Sequence, residues 1–203
     1  MGVESELFKL QSYSKELGLD LTRREDRFKW FLASVLFAKR ISAEIAKKTY
    51  RRFEEEGLTT PEKLLKAGWD RLVEVLDSGG YVRYDFSTAT NLLEIMRKLE
   101  TEYGDLEGLN REARDPEDLE RRLQAFRGVG PVGVNIFLRE LRGIWSKAEP
   151  KPSDMSVRVG QRLGLKDPET CESALVRLSL EYCKKSKCKE CPTRNYCKEP
   201  LHR

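Results

Sequence analysis

Leu123-Gln124-Ala125-Phe126-Arg127-Gly128-Val129-Gly130-Pro131-Val132-Gly133-Val134-Asn135 sets two apolar stripes on either side of a break. Leu119, Leu123 and Phe126 recur at helical spacing before it, and Val134, Phe137, Leu138 and Leu141 after it. Pro131 suits the first turn of the second helix, where its missing N–H costs nothing. Two short helices joined by a tight Gly-hydrophobic-Gly turn make the helix-hairpin-helix pattern. Both glycines tolerate a positive φ, and neither carries a Cβ that would hold off a phosphate. The turn and the start of the second helix should aim amides outward, where the helix dipole also favours an anion. Contacts of this kind grip a nucleic-acid backbone without reading its sequence. Gly128, Val129, Gly130 and Val132 are the residues expected to do so. An ordinary helix–loop–helix, whose glycines only permit a sharp turn, is the plainer alternative.

Working outward, helical patterns cover the rest of the chain. Phe28, Phe31, Leu32, Val35 and Leu36 give an apolar-faced helix around residues 26–38. Ser42 caps a helix through Phe53 that stops at Gly57, and Thr60-Pro61 opens the next. Asp70 starts a short helix that Ser78-Gly79-Gly80 breaks, and a longer one runs from Ala89 to Tyr103 with Gly104 at its end. Asp115-Pro116 opens the first helix of the hairpin. A looser stretch from Gly143 to Ser153 leads to helices over about Met155–Leu163 and Pro168–Tyr182, the second capped by Asp167. No alternating strand pattern and no repeat is visible. The expected fold class is all-α.

Of 203 residues, 35% are charged and 39% hydrophobic, which suits a soluble globular protein and leaves no apolar run long enough for a membrane. The N-terminus lacks the basic-then-apolar order of a signal peptide. The expectation is a cytoplasmic, prokaryotic, DNA-associated monomer whose cysteines stay reduced. A net charge of +4 alone says little about partners. Its distribution says more: from Cys183 to Arg203 there are seven basic residues (Lys184, Lys185, Lys187, Lys189, Arg194, Lys198, Arg203) and two acidic ones (Glu190, Glu199).

The same segment holds Cys183-x4-Cys188-x2-Cys191-x5-Cys197. Four thiols so close in a reducing compartment point to a metal or cluster, and both zinc and a [4Fe–4S] cluster accept four cysteines. Spacing alone does not separate them. Cys171 stands apart and reads as a small core residue.

Hairpin, a following Asp154 and terminal cysteines together resemble the endonuclease III family of DNA glycosylases, over about Phe28 to Cys197. The resemblance implies a two-domain architecture. A six-helix barrel-like domain over 28–143 would carry the hairpin, and 1–27 with 144–203 would form a second helical domain, with a cleft between them facing the DNA. It implies that Cys183, Cys188, Cys191 and Cys197 hold a [4Fe–4S] cluster, which shapes a loop presenting Lys185, Lys187 and Lys189 to phosphates. The family spacing is C-x6-C-x2-C-x5-C, so the first interval here is two residues short.

It also implies a catalytic carboxylate at Asp154. Breaking an N-glycosidic bond builds positive charge on the sugar, which a carboxylate stabilises. From the residues alone, Asp154 is also a plausible helix cap. Bifunctional members carry a Schiff-base lysine two positions past the last hairpin glycine, where this chain has Val132. A monofunctional enzyme is therefore expected, unless Lys147 or Lys151 substitutes. Residues that fill the duplex when a base flips out would be Lys39 and Arg40, after the Phe28 helix, and Tyr81-Val82-Arg83-Tyr84. That second turn is about three residues longer than in the family, and Tyr81 and Tyr84 could equally pack at a helix start. The expected partner is double-stranded DNA with a damaged or mismatched base. The competing expectations are a bifunctional lyase using another lysine, a non-catalytic helix-hairpin-helix binder, and a zinc-stabilised domain unrelated to DNA.

Overall fold

The computed structural model describes residues 2–199, so Arg203 and His202 lie outside the described residues. The chain is all-α, with no strand among those residues. The helices are α1 (Val3–Phe8), α2 (Tyr13–Glu16), α3 (Arg24–Phe37), α4 (Ala43–Glu55), α5 (Pro61–Ser78), α6 (Asp85–Lys98), α7 (Leu106–Glu112), α8 (Pro116–Gln124), α9 (Pro131–Arg139), α10 (Asp154–Leu163) and α11 (Glu172–Leu178). Most starts obey local chemistry. Ser42, Thr60 and Asp115 each accept a first-turn amide through their side chains, as their positions in the sequence require.

The short helix expected to start near Asp70 is present: Pro61–Ser78 is two helices joined at a kink, because Gly68 takes a φ of 75° and ψ of 178° that only glycine adopts readily. Two elements differ from the sequence reading. Asp105 caps an unforeseen helix, α7, by accepting from the Gly108 amide at 2.7 Å. The helix expected from Pro168 begins as a 3-10 turn over Glu169–Cys171 and becomes α-helical only at Glu172.

Two compact units emerge, Leu19–Pro150 and Met1–Gly18 with Lys151–Arg203. The boundaries thus fall at 18/19 and 150/151, where the sequence suggested 27/28 and 143/144. Side chains explain the shift. The Arg27 guanidinium donates to the Leu21 and Thr22 carbonyls at 2.9 Å and to Glu107 at 2.6 Å, so residues 19–27 belong with α7. Trp145 meets Phe137 edge-on at 5.6 Å, and Lys147 Nζ donates to the Asn110 carbonyl at 2.7 Å. Those contacts bind the connector to the larger unit.

In the larger unit α3 is buried on every side: Trp30 through Leu36 are all inaccessible. The sequence reading gave it one apolar face, but a helix apolar nearly all round is a central one. Phe31 packs edge-on against Phe126 at 6.0 Å and Phe137 at 5.2 Å, and Trp30 Nε1 donates to the Phe137 carbonyl at 3.2 Å. The smaller unit builds its core from Leu7, Val159, Leu163, Leu175 and Leu178, with Cys171 beside them as the sequence suggested. Arg177 ties the N-terminal segment to α11 by ion pairing with Glu16 at 2.8 Å and donating to the Gln11 carbonyl at 2.7 Å.

Gly79 tests this packing. A Cβ there would fall 2.5 Å from the Thr49 Cα, a backbone atom that cannot step aside. Gly79→Ala should cost about 1–3 kcal/mol through overpacking. Urea denaturation should show a lower midpoint with an unchanged slope.

Candidate functional site

The hairpin forms between α8 and α9. Gly128 takes φ +77°, and a Cβ on it would also strike the Asn91 side chain, 2.2 Å away. Gly130 does not share that role: its φ is −99°, extended backbone open to any residue, and nothing lies within 4 Å of where its Cβ would be. Its contribution is open space. Val129 also departs from expectation. Its side chain is buried and its amide donates to the Phe126 carbonyl at 3.1 Å, so it anchors the turn from within. The amides left for an anion include those of Gly130 and Val132. Neither makes a hydrogen bond among the described residues, because the first turn of a helix has no preceding carbonyls to meet. Val132 stands 63% exposed beside them.

Two other expected segments meet the hairpin at the C-terminal end of α3. Gly133 brings α9 close to that end, since a Cβ on it would sit 3.4 Å from the Ala38 Cβ. Lys39, half-buried, and Arg40, exposed, follow Ala38 directly. Tyr81 donates its hydroxyl to the Leu36 carbonyl at 2.8 Å and is 1% exposed. Tyr81 is therefore a core residue, not a group that stacks on a base. It pins the turn whose next residues, Val82 and Arg83, are exposed, with the Arg83 guanidinium 5.6 Å from the Tyr84 ring. Free amides, three cations (Lys39, Arg40 and Arg83) and two exposed valines (Val82 and Val132) are thus gathered round one helix end.

An aromatic surface passed over in the sequence lies on the same unit. Trp69 and Phe86 are 40% and 60% exposed with ring centroids 5.4 Å apart, and Trp69 Nε1 donates to Thr90 Oγ1 at 3.0 Å. The signal was Gly68-Trp69, a break inside an otherwise helical pattern.

In the smaller unit, Ser153 caps α10 by accepting the Ser156 amide at 3.3 Å, and Asp154 is the first helical residue. The capping role considered for Asp154 belongs to its neighbour. The Asp154 side chain is exposed and makes no hydrogen bond or ion pair among the described residues. Lys147, in the larger unit, is not a spare amine: its Nζ donates to the carbonyls of Asn110, Arg111 and Ala113, closing the end of α7. Lys151 is exposed three residues before Asp154.

The opposite end of α10, about 15 Å from Asp154 at 1.5 Å per residue, borders the cysteines. Cys183, Cys188, Cys191 and Cys197 all line one small cavity, with Val159, Arg162 and Leu163 of α10. A π-helical turn over Ser179–Cys183 extends α11 to the first of them. The short Cys183–Cys188 loop closes through Ser186 at φ 55°, with the Lys187 amide donating to the Tyr182 carbonyl at 2.9 Å. Burial pushes the Cys183 thiol above its ordinary value; charge on Cys191 adds to that and Arg162 opposes it. Thr193 Oγ1 lies 3.4 Å from Cys191 Sγ. Lys185, Lys187 and Lys189 are exposed on this loop, Lys187 paired with Glu190 at 3.5 Å. Among the described residues, no group of three or more His, Cys, Asp or Glu is drawn together as ligands of a metal ion. Compared with family models and with curated proteins, the chain matches none.

The two hairpin glycines should separate cleanly. Gly128→Ala should cost about 1–2 kcal/mol from the left-handed backbone alone. Gly130→Ala should leave stability within about 0.5 kcal/mol, as for a surface change. Urea midpoints of both variants check this.

Proposed function

We propose that this protein is a monofunctional DNA glycosylase of the endonuclease III type, which hydrolyses the N-glycosidic bond of a damaged or mismatched base in double-stranded DNA. The observation that carries the reading is Asp154: an exposed carboxylate, free of partners among the described residues, on a helix start that Ser153 already caps. At the first turn it also meets the positive end of the helix dipole, which favours the ionised carboxylate.

The Gly130 and Val132 amides take a DNA phosphate, and Lys39, Arg40 and Arg83 add charge round it. Val82 and Arg83, supported by the buried Tyr81, are the groups suited to enter the duplex when a nucleotide leaves the stack. As the bond from C1′ to the base nitrogen breaks, its electron pair leaves with the base and positive charge grows on the sugar. Asp154 stabilises that charge and orients the water whose oxygen bonds to C1′; the proton that this water gives up through Asp154 is balanced by the one the departing base takes from solvent. Val132 cannot form a Schiff base and the Lys147 amine is occupied, which supports base release without strand cleavage and leaves Lys151 as the amine that the bifunctional reading would need.

Cys183, Cys188, Cys191 and Cys197 fit a [4Fe–4S] cluster by donor type and by lining one cavity. When bound, it supplies four iron–thiolate bonds that cross-link the terminal loop. The protein's own residues then hold that loop: the Lys198 amide donates to the Arg162 carbonyl at 2.9 Å, and Lys185, Lys187 and Lys189 face solvent for phosphate contact.

Incubation with a panel of duplexes, each carrying one altered base, should give strand breaks only after hot alkali. Asp154→Asn should lower base release on the order of 100-fold or more while DNA affinity holds. Affinity lost with Gly130→Ala, at unchanged stability, would support phosphate contact at the hairpin. Breaks before alkali, with a borohydride-trapped adduct lost in Lys151→Ala, would replace this reading by the bifunctional one. Tight binding with no release on any duplex would replace it by the DNA-binding module. Metal analysis should find four irons per chain with a broad visible absorption, both lost in Cys191→Ser; zinc without colour would overturn the cluster.

A further inference from the structure

Glu172 is a buried carboxylate, 2% exposed, at the first position of α11. Its Oε1 accepts the backbone N–H of Ser153 at 2.8 Å. That amide belongs to the cap residue of α10, immediately before Asp154.

The bond is not needed to close the first turn of α10. Ser153 Oγ already accepts from the Ser156 amide at 3.3 Å, and Ser156 Oγ donates to the Ser153 carbonyl at 2.7 Å. Those two serines complete the turn within the helix. The N–H of a cap residue lies outside the helix's own hydrogen-bond set. Glu172 takes that remaining group from a second helix, and so fixes where α10 begins with respect to α11. The two helices then pack along their length, Gly160 admitting Pro168 and Leu175 at 3.2 and 3.6 Å from where its Cβ would be. Burying a carboxylate is costly unless it is hydrogen-bonded, and the Ser153 amide is one of the groups that hold Glu172. The group it positions is the next residue, Asp154.

We infer that Glu172 is a positioning residue: through the Ser153 amide it holds the turn on which Asp154 stands, and thereby sets the direction of the Asp154 carboxylate. The inference rests on the reading of Asp154 as the catalytic group. A misplacement of about 1 Å in such a group costs on the order of 100-fold in turnover with little change in binding.

The test uses single-turnover base release, DNA affinity and amide hydrogen exchange on the intact chain. Glu172→Leu should lower the rate roughly 10- to 100-fold with unchanged DNA affinity, and should speed exchange at Ser153. Glu172→Gln, whose Oε1 accepts the same bond, should restore both to within about threefold. A second pair keeps the test sound if Glu172→Leu does not fold. Ser153→Ala removes the cap hydroxyl and keeps the N–H. Ser153→Pro also removes the N–H, at a φ of −64° that proline adopts; it should be the slower of the two by a similar factor. A normal rate in folded Glu172→Leu, or a Ser153 amide that exchanges freely in the unaltered chain, would overturn the inference and leave Asp154 standing. A Gln variant as slow as the Leu variant would also overturn it, because the charge of Glu172 and not its hydrogen bond would then matter. Full activity in Asp154→Asn would instead sink the catalytic reading beneath it.

Discussion

The hydroxyl of Tyr81 donates to the carbonyl of Leu36, in the last turn of a helix that is buried all round from Trp30 to Leu36. In the larger unit the candidate DNA surface depends on that end of α3 being held still. The Tyr81 bond fixes the turn bearing Val82 and Arg83. The absence of a Cβ at Gly133 lets α9 close on Ala38, and Lys39 and Arg40 leave the same helix end. The turn-forming Gly128 in turn rests against Asn91 of α6, whose Glu94 pairs with Arg127 at 2.5 Å. Interiors pack too densely to deform continuously, so groups attached to one buried helix keep their spacing when a ligand arrives.

The smaller unit works by a different device. α10 and α11 both run from the Asp154 end to the cysteine cavity, and polar side chains fix the first end while thiols gather at the other. A small helical unit has little core to spend on rigidity. Clamped helix starts, and the proposed cross-link of its terminal loop, substitute for it. Proposed chemistry and proposed cluster thus share two rods without the cluster touching the reacting atoms.

Local signals were legible wherever one residue type had a single tolerable use. Ser42, Thr60 and Asp115 cap helices because their side-chain oxygens reach first-turn amides, and Gly57, Gly104 and Gly164 take positive φ at helix ends. The four cysteines line one cavity. Signals failed where one residue type has more than one use. Tyr81 could face water or core; Asp154 could cap its helix, a role that Ser153 takes; and Lys147, considered as a substitute amine, bonds carbonyls at the end of α7. α7 went unseen because Asp105, its cap, follows the end of a longer helix and reads as part of the same break.

From residue order alone came the helical class, most helix starts, the hairpin with Pro131 at the head of its second helix, and the four-thiol segment, because each rests on spacing within one or two turns. Only the tertiary structure decided which amides of the hairpin stay free, that Val129 and Tyr81 turn inward, that residues 19–27 and 144–150 belong with the larger unit, and that Glu172 reaches Ser153. Each of those outcomes is a contact between residues distant along the chain. Burial and the pairing of polar groups are settled by which surfaces meet, and no local pattern encodes the partner.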